Sequence, residues 1–128
     1  MKRMLIDTNI YSYALMGDES VIELLREADE IGFSVVSIGE LLVGFKLGGK
    51  EQKNRKELEQ FLDSPRVVVY PVDESTADFY AQILCNLRQI GKPVPTNDIW
   101  IAASAFQHGL KLLTRDSHFQ WIPGLYLV

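Results

Sequence analysis

The segment Met4-Leu5-Ile6-Asp7-Thr8-Asn9 is the most informative stretch for the fold, because a short apolar run ends there directly in a carboxylate. The consecutive apolar residues Met4 to Ile6 are typical of a short strand that is buried on both faces. An acid at the end of such a strand is unfavourable unless it is hydrogen-bonded, paired or bound to a cation. The segment therefore predicts a buried strand that leads into a polar site.

The rest of the chain alternates between short apolar runs and longer amphipathic segments. Further strands are predicted at Phe33–Ser37, Val67–Tyr70, Lys111–Thr114 and Tyr126–Val128. Apolar residues at helical spacing predict helices at Asn9–Leu15, Glu19–Ala28, Lys50–Leu62, Asp73–Ile90 and Thr96–His108, with one more that is capped by Ser37 and ends at Gly48-Gly49. This alternation predicts an α/β fold with three layers, α/β/α, and a mostly parallel central sheet. The absence of a repeat or linker in 128 residues predicts one domain, residues 1–128.

Composition narrows the class of protein. The single cysteine, Cys85, excludes a disulfide within the chain and is predicted to be buried in its helix. The apolar N-terminal run stops at Asp7 before a signal-peptide core forms, and no stretch approaches the length of a membrane span. We therefore expect a cytoplasmic protein without a membrane partner. A net charge of −4 opposes bulk attraction to nucleic acid, so a nucleic-acid enzyme of this charge needs a basic patch or a bound cation.

Four acids occupy comparable places around the predicted sheet. Asp7 ends the first strand, Glu40 lies early in the helix after the second, Asp98 lies in the first turn of a late helix, and Asp116 follows the fourth strand. Ligands of parallel sheets bind at the carboxyl ends of the strands. All four side chains can therefore point into one cleft.

Each acid also has a purely structural explanation. Asp98 suits a helix N-terminus, Glu40 suits a capping box with Ser37, and Asp116 suits a turn. Asp7 is harder to explain in this way because it follows a buried strand. Taken together, four acids at matching ends of alternating elements favour a common site.

Clustered carboxylates repel one another, and a divalent cation relieves that repulsion. Oxygen ligands favour Mg²⁺ or Mn²⁺ over zinc, which has little support from two histidines ten residues apart and no second thiol. Such a cation activates water and neutralises a phosphodiester in phosphoryl chemistry. A bound cation also resolves the conflict between the net charge and a nucleic-acid substrate.

The contexts of these acids resemble a known family. Four motifs occur in the order seen in the PIN-domain family, especially in its VapC-type toxins of prokaryotic toxin–antitoxin pairs. They are Leu5-Ile6-Asp7-Thr8-Asn9, Ser37-Ile38-Gly39-Glu40-Leu41, Asn97-Asp98-Ile99-Trp100-Ile101-Ala102-Ala103 and Leu113-Thr114-Arg115-Asp116-Ser117-His118-Phe119. The resemblance covers essentially the whole chain. It implies an endoribonuclease that binds Mg²⁺ or Mn²⁺ through Asp7, Glu40, Asp98 and Asp116. It also implies supporting polar residues at Thr8, Asn9 and Thr114, inhibition by a cognate antitoxin, and a homodimer.

RNA contacts are harder to assign from the sequence. Arg115 adjoins Asp116 and is the best candidate, and Lys46 begins a basic cluster that continues through Lys56. Glutamates interleave with this cluster, which also fits an ordinary solvated helix face.

Three other functions remain open from the sequence. A housekeeping PIN nuclease for RNA maturation is one, although the chain carries no appended RNA-binding module. A phospho-acceptor signalling domain usually has a paired acidic motif after its first strand, where this chain has Thr8 and Asn9. A catalytically inactive binding module is expected to lack some of the acids, and all four are present.

Overall fold

A four-stranded parallel sheet forms the middle layer of the computed structural model, which describes residues 1–128. Its strands are β1 (Arg3–Ile6), β2 (Glu30–Ser34), β3 (Val67–Tyr70) and β4 (Lys111–Leu113), in the order β3-β2-β1-β4. β1 pairs through Arg3 with Glu30 on one side and through Met4 with Lys111 on the other. Because all pairings are parallel, the carboxyl ends of the strands lie along one edge. The predicted α/β fold class is confirmed.

Six α-helices accompany the sheet. They are α1 (Thr8–Leu15), α2 (Glu19–Glu27), α3 (Val35–Leu47), α4 (Glu51–Leu62), α5 (Glu74–Gln89) and α6 (Thr96–His108), and a short 3₁₀ helix follows at Ser117–Trp121. No helix is both long and apolar enough to cross a lipid bilayer.

The residues of β1 divide between two apolar clusters. Met4 and Ile6 pack with residues of α1 to α4, whereas Leu5 packs with residues of α5 and α6. Successive side chains of a strand point to opposite faces, so a strand covered on both faces must be apolar throughout. This burial explains why the first strand reads as an uninterrupted apolar run.

Side-chain and backbone caps fix several helix ends. Asp18 caps α2 by accepting a hydrogen bond from the Val21 N–H, and Asp73 forms a capping box with Thr76 at the start of α5. Gly109 ends α6 with φ of 64°, in the left-handed region that glycine adopts readily. Caps of this kind explain why most helix bounds agree with the sequence pattern to within two residues.

The second strand, and the residue that caps the helix after it, lie three residues earlier in the sequence than predicted. The strand ends at Ser34 rather than Ser37, and Ser34 itself caps α3 by accepting a hydrogen bond from the Val36 N–H. The β-branched pair Val35-Val36 suggested a strand, but helix α3 begins there because Ser34 supplies the cap. Ser37 is consequently buried within α3, and Glu40 is not part of a capping box.

Three smaller predictions also need correction. Tyr126–Val128 forms no strand of the sheet and contributes only an isolated bridge from Leu127 to Leu112. The N-cap of helix α1 lies two residues earlier than predicted, because Asp7 and not Asn9 caps the helix. Cys85 is exposed on α5 rather than buried, since the apolar side of that helix is formed by neighbours such as Ile83 and Leu87.

Gly32 provides a test of how tightly the sheet packs. A Cβ added at Gly32 lies 2.7 Å from Cε2 of Tyr70 and 3.2 Å from Cδ1 of Leu5. The Tyr70 ring cannot move freely, because its hydroxyl donates to Glu30 at 2.6 Å. We therefore expect Gly32→Ala to lower the free energy of unfolding by ~1–3 kcal/mol in urea titration.

The matched control is Gly39→Ala. Gly39 is exposed on α3 and no atom lies within 4 Å of an added Cβ, so this change should be neutral or stabilise by ~0.5–1 kcal/mol. Equal stability of the two variants would contradict the tight packing described at Gly32.

Candidate active site

Four acids line one cavity at the carboxyl edge of the sheet. Asp7, Glu40, Asp98 and Asp116 share a cavity of about 430 Å³ with Thr8, Asn9, Ser12, Leu41, Gly44 and Phe45. The acids come from four separate segments: the end of β1, helix α3, the first turn of α6 and the loop after β4. The parallel topology therefore brings together residues that are far apart in the sequence.

Asp7 is the most constrained of the four acids. It is only 5% exposed, and each of its carboxylate oxygens accepts one hydrogen bond. Oδ1 accepts from the Thr8 N–H at 2.8 Å, and Oδ2 accepts from the Thr114 hydroxyl at 2.9 Å. The Thr114 oxygen also accepts from the Asp116 N–H at 2.9 Å, so this one side chain positions two acids.

Glu40 is oriented by a chain of hydroxyl groups. The Thr8 hydroxyl lies 2.6 Å from Oε1 of Glu40 and 2.8 Å from the hydroxyl of Ser37. Because Thr8 has one hydroxyl proton and an ionised carboxylate can only accept, Thr8 donates to Glu40 and accepts from Ser37. Sequence reasoning assigned Ser37 only a capping role, although its spacing of three from Glu40 places both on one side of α3.

Burial and mutual repulsion raise the pKa values of two acids. Burial is the main cause for Asp98, with repulsion from Asp7, Asp116 and Glu40 adding to it, and the pKa of Asp98 rises to about 6. Burial and the charges of Asp116 and Glu40 also raise the pKa of Asp7, while the hydrogen bonds from Thr114 and Thr8 oppose that rise. The cavity therefore holds more negative charge than its own side chains neutralise.

Arg115, which adjoins Asp116 in the sequence, pairs with residues outside the cavity. Arg115 donates to both carboxylate oxygens of Asp18, at 2.6 and 3.0 Å, and to the Ser20 hydroxyl at 2.7 Å, while its guanidinium lies 4.8 Å from the centre of the Tyr13 ring. These contacts lower the pKa of Asp18 and connect the loop after β4 to the start of α2. Lys46 is exposed and pairs with Glu51 at 3.2 Å. Neither cation lines the cavity, and Asn9 lies exposed at its wall.

His118 lies beside the acids and was not singled out as a site residue from the sequence. Its Nδ1 is 2.8 Å from Oδ1 of Asp116 and 4.0 Å from Oδ2 of Asp98. The one feature of the sequence that could have indicated His118 was its position two residues after Asp116. The 3₁₀ turn at Ser117–Trp121, which brings its ring back towards the acids, was not predicted.

The donor set fits a divalent cation of the magnesium or manganese type. Carboxylate oxygens predominate, the pKa values of two of the acids are raised by burial and by their neighbours, and no lysine or arginine lines the cavity. Ions of this type take oxygen ligands and offset such repulsion. The residues that would hold the ion are Asp7, Glu40, Asp98 and Asp116.

The fold and this acidic cavity together define a PIN domain. The profile described as "PIN domain" matches residues 4–125, and the chain belongs to this family.

Relatives within the family narrow the description further. The chain is 31% identical over 99 residues to Ribonuclease VapC4 of Mycobacterium tuberculosis, covering 77% of this chain and 76% of that protein. It is 34% identical over 124 residues to Toxin FitB of Neisseria gonorrhoeae, covering 89% of this chain and 88% of that one. It also superposes on a chain of a toxin–antitoxin complex from Klebsiella pneumoniae with a TM-score of 0.70 and 26% identity, over 98% of this chain and 99% of that chain.

The charge of Asp98 can be tested through the stability of the metal-free protein. A carboxyl group whose folded pKa is raised to about 6 costs stability at neutral pH, and the folded state recovers it as pH falls through that value towards the ordinary pKa of 3.8. We expect Asp98→Asn to raise the free energy of unfolding at pH 7 in EDTA by about 1 kcal/mol, or roughly 4 °C in Tm, with a smaller gain at pH 5.

Asp78→Asn is the matched control, because Asp78 is exposed on α5 and should show no such pH-dependent gain. If Asp98 acts only as a favourable charge at the start of α6, Asp98→Asn should instead destabilise by ~0.3–1 kcal/mol. Thermal melts of both variants at the two pH values separate these outcomes.

Proposed function

We infer that this chain is a VapC-type toxin ribonuclease of a toxin–antitoxin pair, and that it hydrolyses RNA with a divalent cation, Mg²⁺ or Mn²⁺. The observation that carries this proposal is the convergence of Asp7, Glu40, Asp98 and Asp116 on one cavity of a PIN domain. The relatives named VapC4 and FitB, a ribonuclease and a toxin, support the activity and the biological role.

Each residue of the site has a distinct task in this proposal. When bound, the cation supplies an activated water and charge neutralisation for the phosphodiester. Burial raises the pKa values of Asp7 and Asp98, and the charge of a bound ion would stabilise the ionised form of both side chains. Thr114 and Thr8 fix the orientations of Asp7 and Glu40 through hydrogen bonds, which limits the reorganisation that binding requires.

The RNA phosphate must approach an acidic cavity, so the cation is also needed for substrate binding. Lys46 remains a proposed RNA contact, because an exposed pair with Glu51 is weak and can exchange for a phosphate. Arg115 remains a proposed contact only through donors not used by Asp18 and Ser20.

An antitoxin and a second copy of the chain are the proposed protein partners. The similar toxin–antitoxin complex supports the antitoxin. Tyr11 and Leu25, on α1 and α2, are buried in the core. Exposed apolar side chains lie along α3, at Val35, Val43 and Leu47. Val43 and Glu40 also line a second cavity, of about 730 Å³. A partner on this face lies next to the acids.

Cleavage should depend on both the cation and the acids. With total bacterial RNA as substrate, Mg²⁺ or Mn²⁺ should support cleavage, EDTA should abolish it, and Asp7→Asn or Asp98→Asn should reduce the rate by at least ~100-fold, because each removes a charge that the ion needs. Mapping of cleaved ends by sequencing measures the effect and identifies the target.

Asp78→Asn serves again as the control and should cleave at the rate of the unmodified protein. Calorimetric titration with Mn²⁺ on the same variants does not depend on finding the right RNA. An Asp98→Asn protein that binds Mn²⁺ and cuts normally would remove Asp98 from the site.

The assembly can be tested by co-expression with the product of the adjacent gene. Size-exclusion chromatography with light scattering should show a stable complex of the two proteins and a homodimer of the isolated chain. Separate elution of the two proteins would count against the antitoxin, and a monomeric mass at micromolar concentration would count against the dimer.

A further inference from the structure

His118 is held against the acidic cavity by its own backbone. Its N–H donates to Oδ1 of Asp116 at 2.9 Å, which begins the 3₁₀ helix Ser117–Trp121. Its ring lies 5.5 Å from that of Trp121, centroid to centroid, and so is flanked on one side. The imidazole is therefore positioned by the loop that carries Asp116.

The Nδ1 atom faces two carboxylates without forming a hydrogen bond. It is buried and forms no hydrogen bond, although it lies 2.8 Å from Oδ1 of Asp116, an oxygen that already accepts from the His118 N–H. A buried ring nitrogen without a hydrogen bond is unfavourable, and a bound cation would remove that cost. The side chain as a whole is 40% exposed, so the buried atom is the one that points at the acids.

The separations of these atoms match those of ligands around one ion. Adjacent ligands of an octahedral ion with bonds near 2.1 Å lie roughly 3.0 Å apart, and opposite ligands roughly 4.2 Å apart. Nδ1 of His118 lies 2.8 Å from Asp116 and 4.0 Å from Asp98, and one ligand atom from each of the three residues lies within 4.8 Å of the other two.

We propose that His118 is a direct ligand, through Nδ1, of a cation held between Asp98 and Asp116, and that it makes this position prefer Mn²⁺ to Mg²⁺. Mg²⁺ binds oxygen almost exclusively, whereas imidazole nitrogen is an ordinary ligand of first-row transition metals. This inference rests on the proposed metal-dependent function and identifies which ion the site selects.

Pulsed electron paramagnetic resonance of the Mn²⁺-loaded protein tests direct ligation without measuring activity. The chain has two histidines, and His108 lies at the opposite end of α6, about 15 Å along the helix from Asp98. Protein labelled with ¹⁵N-histidine should show the ¹⁵N hyperfine coupling of a bound imidazole. The coupling should persist in His108→Gln and disappear in His118→Gln. Absence of the coupling in the labelled protein with its natural sequence, which requires no variant to fold, overturns the proposal.

Competition titrations test the selectivity. His118→Gln should weaken Mn²⁺ binding by roughly tenfold or more and leave Mg²⁺ binding within about twofold. Equal loss for both ions means that His118 only orients Asp116, and it overturns the proposal while leaving the metal-dependent function intact. Binding of Mg²⁺ but not Mn²⁺ overturns the proposal alone, whereas failure of the unmodified protein to bind either ion overturns both.

Discussion

The carboxylate of Asp7 is the group on which the arrangement of the site depends. It directly follows β1, an inner strand of the sheet, is almost wholly buried, and caps the helix that follows. A buried charge in this position must be satisfied by donors, and the two nearest are the Thr8 N–H and the Thr114 hydroxyl. The pairing of β4 with β1 supplies one of these donors, because it brings Thr114 next to Asp7. A single desolvated acid thus links strand order to the geometry of the cavity.

The excess negative charge of the cavity opposes folding and favours function. Apolar clusters on both faces of the sheet hold the acids together despite their repulsion. The raised pKa values of Asp7 and Asp98 express this opposition. A cation that binds the folded state alone adds to its stability, so ligand binding and folding are thermodynamically coupled in this chain.

The sequence predicted the layers of the fold and the four acids because both follow from local patterns. Apolar runs located β3 to the residue and β1 to within one residue. Asp7 and Asp116 each follow a strand and Asp98 lies in the first turn of α6, whereas Glu40 lies in the second turn of α3. The bounds of β2 were predicted three residues too late because Val35 and Val36 are β-branched and typical of strands. The cap at Ser34 instead starts the helix there. His118, and the pairing of Arg115 with Asp18, depend on how the chain turns after β4, which no periodicity encodes.

The hydrogen bond between Thr114 and Asp7 spans 107 residues of sequence. Contacts of such long range form late in folding. The intervening chain loses conformational entropy when its ends are brought together, and the contact offsets that loss only once it has formed. During synthesis from the N-terminus, Asp7 therefore emerges without its partner, and no nascent chain that lacks Thr114 and Asp116 can assemble the four acids. The topology itself delays the assembly of the four acids until the chain has been synthesised past Asp116.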